Sequence, residues 1–395
     1  MKICFWVSHI ATIGGVQRVT ALLANELVRY HNITIITNDE KTDVDKNIYS
    51  INPQIHLIYQ SINLDISKRL SFPKKVIKRI NKWTGFFNYG KLTELASCVY
   101  FPQKYRERIV KYFNELNFDI IIGVQGYNSL ILAIVADEIN AKTIGWQHNS
   151  FEAYFRTPNA YFWNQDCLFR RYLPRLDEYV VLNEIDKRKI DDYFQIKSRY
   201  LYNPKSFTSN EKCHCENKTF IAAGRFTRAK GFDILIDALN YFVKQNKEWN
   251  VILVGDGELR KDIEKRITQY NLQGRIKLTG YIDNIKDYFL KSSVLLLPSR
   301  WEGMPMIILE ALEMGCPVVS FDIDAIRPLI TDRTEGLVVH GDYIKFAQAM
   351  LEMASDYELR RQLSKNAIQK SKEFSLAIII PQWLDLFECI KEGKV

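Results

Sequence analysis

An α/β architecture of two doubly wound parallel-sheet domains is what this sequence predicts, and three observations carry the prediction. The chain has 395 residues, too many for one ordinary core and in the range of two domains of roughly 100–200 residues each. Short apolar runs alternate with segments of helical period in the N-terminal half and again in the C-terminal half, the pattern of a parallel sheet covered on both faces. Hydrophobic residues are 47% and charged residues 25% of the chain, a globular mix with enough apolar material for two packed cores.

Taken in order, Lys2–Ser8 is a short apolar run, Gly14-Gly15 follows, and a helical period runs through Val19, Leu22, Leu23, Leu27 and Val28 to a second β-rich run, Ile33–Thr37. Strand, glycine turn, helix, strand is a βαβ unit. The start could be mistaken for a signal peptide, but Trp6, Ser8 and His9 interrupt it and no small-residue cleavage site follows, so it reads as a buried strand. Runs at Phe118–Val124, Ala141–Trp146 and Glu178–Leu182 complete a first domain over 1–204. A polar stretch, Lys205–Lys218, is read as the separator. A second domain, 205–375, then has strands at Phe220–Ala223, Asn250–Val254, Ile276–Thr279, Val294–Pro298 and Pro317–Ser320. The amphipathic segment around Ile380–Lys391 is expected to carry 376–395 back onto the first domain. Two such sheets in tandem place an interdomain cleft at the carboxyl ends of their strands.

The net charge of +8 is unevenly placed. Residues 66–112 hold twelve Lys and Arg (68, 69, 74, 75, 78, 79, 82, 91, 104, 106, 108 and 111) against Glu94 and Glu107, a local net of +10 that leaves the remainder at −2. Phe72, Trp83, Phe86, Phe87, Tyr89, Tyr100, Phe101, Tyr105, Tyr112 and Phe113 are interleaved with these cations. No run of ~18 uncharged apolar residues exists to span a bilayer. A basic, aromatic region without such a run suits peripheral binding to an anionic membrane, so the protein is expected in the cytoplasm, at the inner face of the cell membrane. Solvated lysines on a variable insertion are the bland alternative. Nucleic acid fits the charge, but no recognisable nucleic-acid module accompanies it, and none is expected as a partner. Seven scattered cysteines point to reduced thiols, and Cys213-His214-Cys215 lacks the second ligand pair of a metal site.

Three segments just after predicted strands carry chemistry. In Ala223-Gly224-Arg225-Phe226-Thr227-Arg228-Ala229-Lys230-Gly231, two cations five apart flank a turn before a helix, suited to converge on a diphosphate as a fork and a point charge. Val254-Gly255-Asp256-Gly257-Glu258 is a tight strand-to-helix turn. In the third, Pro298-Ser299-Arg300-Trp301-Glu302-Gly303-Met304-Pro305-Met306 leads into an apolar helix that contains Glu310. Gly303 and Pro305 fit a helix N-terminus that attracts anions. Glu310 inside an apolar helix is costly unless something pairs with it, and a ribose diol would supply two hydrogen bonds.

These motifs make the chain resemble a family 4 retaining glycosyltransferase of GT-B fold, with two Rossmann-like domains, over essentially its whole length. The matching pieces are GGVQRV at 14–19, GRFTRAKG at 224–231, VGDGEL at 254–259, EGMPMIILEALEMGCPVVSFD at 302–322 and GLVV at 336–339. Within the family it looks closest to enzymes that build bacterial surface polysaccharides and lipid-linked oligosaccharides. The resemblance implies that Arg225 and Lys230 bind the donor diphosphate and stabilise its departure. It sets Glu302 beside the donor sugar, the amides of Gly303, Met304 and Met306 on sugar and phosphate, and Glu310 on the ribose. Gly224, Gly255, Tyr281 and Ile282 complete the implied donor contacts. Gly15 lets backbone approach the phosphates from across the cleft, and His148 matches the family's histidine near sugar and acceptor.

The implied reaction transfers a hexose or N-acetylhexosamine from a UDP-sugar to a glycan or polyprenyl-diphosphate-linked acceptor, with retention and with no cofactor or metal. Asp322-Ile323-Asp324 imitates a D-x-D metal motif, in a segment where the family shows no metal. A GDP-mannose-dependent mannosyltransferase is the nearest alternative, and an epimerase or glycoside phosphorylase of the same fold a more distant one. A dinucleotide oxidoreductase would need G-x-G-x-x-G after the first strand, which is missing, and an acidic residue at the ribose, for which Asp39 is the only candidate. A non-catalytic binding protein would have no need to keep Arg225, Lys230, Glu302 and Glu310 together.

Overall fold

The computed structural model describes residues 1–44, 48–59, 72–89, 92–282 and 284–394. Lys68, Arg69 and Lys91 of the basic region, and the side chain of Phe72, lie outside that description. The chain divides into two compact units, Met1–Pro204 with Leu376–Val395, and Lys205–Ser375.

Strands of the first unit are β1 (Lys2–Trp6), β2 (Asn32–Thr37), β3 (His56–Tyr59), β4 (Ile120–Val124), β5 (Lys142–Trp146), β6 (Glu178–Val181) and β7 (Arg199–Tyr200). They pair in parallel in the order β3-β2-β1-β4-β5-β6-β7. The opening segment is therefore a central strand, with Ile3 to Trp6 at most 1% exposed, as a strand covered on both faces must be. In the second unit, β8 (Thr219–Ala223), β9 (Asn250–Val254), β10 (Ile276–Gly280), β11 (Val294–Leu297), β12 (Val318–Phe321) and β13 (Gly336–Val339) form a parallel sheet of order β10-β9-β8-β11-β12-β13. Strand order reverses between β1 and β4 in one sheet and between β8 and β11 in the other. Those are the switch points where the loops at the carboxyl ends splay apart and leave a crevice for ligands.

Two readings of the sequence need correction. The aromatics of the basic region are mostly core. Phe87, Tyr100, Phe101 and Phe113 are buried, and Phe86, Tyr105 and Tyr112 pack against the same cluster. Phe113 meets the ring of Trp6 at 5.1 Å, edge to face. Only Trp83 and Tyr89 of the ten stand well exposed among the described residues. The stretch Lys205–Lys218 does open the second unit, but its polar composition misleads about burial. Lys205, Cys213 and Cys215 are buried, and the Cys213 thiol donates to the Ser292 carbonyl at 2.8 Å.

The last helix, Leu376–Lys391, belongs to the first unit. Its Trp383 lies 5.0 Å from the ring of Trp146 at the end of β5, and Arg199 of β7 bridges to its Asp385 at 2.9 Å. No helix among the described residues is long and apolar enough to cross a membrane.

Candidate active site

In the second unit the loops that follow β8 and β11 flank the switch point. Gly231 has φ +66°, and a Cβ there would sit 2.0 Å from the Pro298 carbonyl oxygen, so the two loops touch backbone to backbone only because this residue is glycine. The Arg300 amide donates to Ala229 at 2.8 Å, and its guanidinium forks the Asp233 carboxylate at 2.7 Å on each arm. With the loops fixed in this way, Lys230 Nζ lies 2.6 and 2.7 Å from the two oxygens of Glu302. The Ser299 hydroxyl donates to Glu302 Oε1 at 2.7 Å, and Glu302 is 7% exposed.

The β9 turn is laced to the same loop. A Cβ on Gly255 would meet the Gly224 carbonyl oxygen at 2.0 Å. The amide of Phe226 donates to Asp256 at 2.8 Å, and that of Gly255 to Gly280 at 2.9 Å. Tyr281, half exposed, reaches the Asp256 carbonyl with its hydroxyl at 3.4 Å, and Ile282 follows it. Arg225 stands exposed in this rim. Gly224, Arg225, Lys230, Gly255, Tyr281 and Ile282 thus belong to one set of adjoining turns.

Helix Met306–Met314 begins after Pro305 with no side chain capping it, and Gly303, Met304 and Met306 at its start are buried. Such an end presents backbone amides and the positive pole of the helix dipole to an anion. Glu310, 2% exposed, accepts a hydrogen bond from Ser206 Oγ at 2.8 Å. One turn later Glu313, also buried, pairs with Lys205, with Lys212 at 2.6 Å, and with the Ser209 amide at 2.9 Å. Burial alone would raise the Glu313 pKa, but the two lysines and the amide hold it below its ordinary value. These contacts hold segment 205–212 along the helix and so bring Ser206 to Glu310. Asp322 is forked by Arg327 at 2.8 Å on each oxygen, which sets its carboxylate as an ion-pair partner on this loop.

Gly15 and His148 belong to the first unit. Gly15 opens helix Gly15–Leu27 after β1, at that sheet's switch point. The loop before it is organised by Asp39, which accepts hydrogen bonds from the amides of Ile10 (2.5 Å) and Ala11 (2.8 Å), from Thr37 (2.9 Å) and from His9 Nδ1 (2.7 Å). Burial raises the Asp39 pKa, yet these donors together hold it below the usual carboxylate value. A carboxylate so engaged is a loop brace, which removes the one acidic candidate for a dinucleotide ribose. His148 follows β5 with its ring 4.0 Å from that of Trp146. Burial pushes its pKa down to about 3, and its Nε2 is buried without a hydrogen-bond partner.

Three groups here escaped sequence reasoning. Ser299 and Asp233 work through partners that no local pattern announces. Gln125, at φ +73° directly after β4, carries backbone strain at the first unit's switch point, and nothing in its residue type signals it.

Residues 208–370 match the family model described as Glycosyl transferases group 1. An uncharacterised glycosyltransferase of Haemophilus influenzae is 25% identical over 392 residues, covering 97% of this chain and 98% of the relative. The GalNAc-α-(1→4)-GalNAc-α-(1→3)-diNAcBac-PP-undecaprenol α-1,4-N-acetyl-D-galactosaminyltransferase of Campylobacter jejuni is 25% identical over 401 residues, covering all of both chains. Among solved structures, a variant of S. aureus TarM in complex with fondaparinux, α-GlcNAc-glycerol and UDP superposes with a TM-score of 0.77, at 16% identity, over 98% of this chain and 99% of that one. The group 1 match thus falls on the second unit, while over its whole length the chain has the GT-B fold and is similar to bacterial glycosyltransferases.

Proposed function

We propose that the protein transfers a hexose or N-acetylhexosamine, with retention of configuration, from a UDP-sugar to a glycan carried on a lipid diphosphate, in the synthesis of a bacterial surface polysaccharide. The observation that carries this reading is the Lys230–Glu302 pair at the β8/β11 switch point, beside an uncapped helix start and the buried Glu310. The leaving group of a nucleotide-sugar is a diphosphate, so its departure is assisted by cations set in place beforehand. Lys230 and Arg225 supply that charge in this reading, with no metal ion required. The amides of Gly303, Met304 and Met306 take sugar and phosphate oxygens, Glu310 the ribose hydroxyls, and Glu302 the hydroxyls of the sugar.

In the first unit, His148 is neutral throughout the physiological range because burial holds its pKa at about 3. Its Nε2 is therefore assigned to a hydrogen bond with a sugar or acceptor hydroxyl, not to carrying a positive charge. UDP as the nucleotide is supported by the UDP bound in the TarM structure. A lipid-diphosphate acceptor, reached at an anionic membrane surface, is supported by the undecaprenol-linked substrate in the name of the Campylobacter relative.

A thermal-shift panel of UDP- and GDP-sugars, with and without EDTA, tests the reading. Stabilisation by a UDP-sugar that survives EDTA is the expected result. A shift with NAD and with no nucleotide-sugar would overturn it.

A further inference from the structure

Within the basic region one helix has a divided surface. Helix Phe72–Thr84 carries Lys74, Lys75, Lys78, Arg79 and Lys82 and no acidic residue. Lys74 and Lys78 are turned inward, where their ammonium groups donate to the Cys98 and Tyr100 carbonyls at 3.2 and 3.4 Å and close the C-terminal end of helix Thr93–Tyr100. Asn81, also inward, donates to the Tyr100 hydroxyl at 3.1 Å and fixes the helix's rotation. What remains outside is a double row. Val76 is 40% exposed, Ile80 48% and Trp83 86%, at spacings of four and three residues that align them along one face. Lys75, Arg79 and Lys82, all exposed, run beside them at the same spacing.

We infer that this face, and not the basic region as a whole, is the protein's membrane contact: Val76, Ile80 and Trp83 enter the interface of an anionic bilayer while Lys75, Arg79 and Lys82 meet its phosphates. Charge complementarity selects that occupant. An apolar row with cations on its flank and no carboxylate on the helix matches a surface that is negative at its headgroups and apolar just beneath them. Trp83 is the element that a merely solvated basic helix would lack, since indole favours the headgroup level of a bilayer. The purpose of such a contact rests on the lipid-linked acceptor proposed above, but its test reads no transfer, so the two stand or fall separately.

The full-length protein is sedimented with vesicles of phosphatidylcholine alone and of phosphatidylcholine with phosphatidylglycerol. Binding to the anionic vesicles only, weakening as salt rises, is expected. Lys75→Glu/Arg79→Glu/Lys82→Glu is then compared with Lys104→Glu/Arg108→Glu/Lys111→Glu, which makes the same charge change at exposed positions of helix Gln103–Leu116. The first variant should lose about a hundredfold or more in partitioning and the second much less, since each well-placed cation is worth roughly fivefold. Equal losses would mean that only net charge matters and would overturn the assignment, as would no binding by the wild type. Self-association removed by the first variant, without sedimentation, would give the face to a second copy of the chain.

Brominated lipids supply the second readout. Trp6, Trp146, Trp249 and Trp383 are fully buried and Trp163 and Trp301 partly so, which leaves Trp83 to report on the bilayer. Quenching that vanishes in Trp83→Phe while sedimentation persists is expected. Quenching that survives the substitution would place the contact elsewhere.

Discussion

Replacing Lys230 with Met separates what the Lys230–Glu302 pair does for the fold from what it does for turnover. The substitution keeps most of the side chain's volume and removes its charge. Glu302, 7% exposed, then keeps the Ser299 hydroxyl but no cation. Breaking a fully buried pair costs about 3–5 kcal/mol, whereas exposed pairs are worth about 0–1 kcal/mol. The Lys230 side chain is 29% exposed, which sets this case between those limits, at about 2 kcal/mol. For a unit of this size that lowers the melting temperature by about 4–8 °C. Turnover should fall by about 10² or more, because a preplaced donor to the leaving group is lost. The double variant Lys230→Met/Glu302→Gln removes the stranded carboxylate as well, so it should recover most of the melting temperature and none of the turnover. Calorimetry and initial rates at saturating donor measure both quantities. Turnover within about threefold of wild type in the single variant would refute the catalytic role, and an unchanged melting temperature would refute the energetic one.

Other side chains give further tests. Glu310→Ala should weaken UDP-sugar binding by about tenfold or more, as a buried carboxylate that receives a ribose diol is lost, while circular dichroism stays unchanged; undiminished affinity by calorimetric titration would remove Glu310 from the donor site. Glu313→Gln leaves Lys205 and Lys212 facing a neutral amide and should destabilise the protein by about 2–4 kcal/mol in urea. Because the folded pKa of Glu313 lies below its unfolded value, its contribution is present above the unfolded pKa and is lost as pH falls through the folded one. The gap between wild type and variant should therefore close in acid, and a gap independent of pH would contradict the ion-pair account. His148 works in the same direction but in a higher pH window: its folded pKa of about 3 lies below that of a free histidine, so the unfolded chain takes up the proton first and stability falls as pH drops below ~6.5. His148→Asn should flatten that slope, by about 1–2 kcal/mol between pH 6.5 and 5, and an unaltered slope would show that His148 is protonated in the folded state. Trp383→Ala opens a cavity against Trp146, the ring neighbour of His148, and should cost about 3–5 kcal/mol; a loss under 1 kcal/mol would show that the last helix is only loosely held.

What the sequence makes legible here is what a few adjacent residues must do by themselves. The inner strands β1, β2, β4, β5, β8, β9 and β11 show as apolar runs because burial on both faces demands it. The edge strands are less uniform: β10 shows at Ile276–Thr279 and β13 only through the GLVV match, whereas β3 and β7 do not show. These last two are four and two residues long and partly exposed, too short and too mixed to stand out from loop. The site shows the same division. The glycines and cations after β8 and the turn before Met306 announce themselves because their conformations are local requirements. The partners of the glutamates are not local: Lys205 and Glu313 are separated by 108 residues, and Lys230 and Glu302 by 72. To the sequence Glu302, Glu310 and Glu313 are three carboxylates within twelve positions. The structure gives them different work by what it sets against each. Two lysines and an amide neutralise Glu313 for a structural task, the Ser206 hydroxyl meets Glu310, and Glu302 faces a lysine at the point where the strand order reverses. The basic region misleads for a related reason. A helical repeat of aromatics and cations reads the same whichever face is turned inward, and only the packing of Lys74, Lys78 and Asn81 decides that Val76, Ile80 and Trp83 are the face left to solvent.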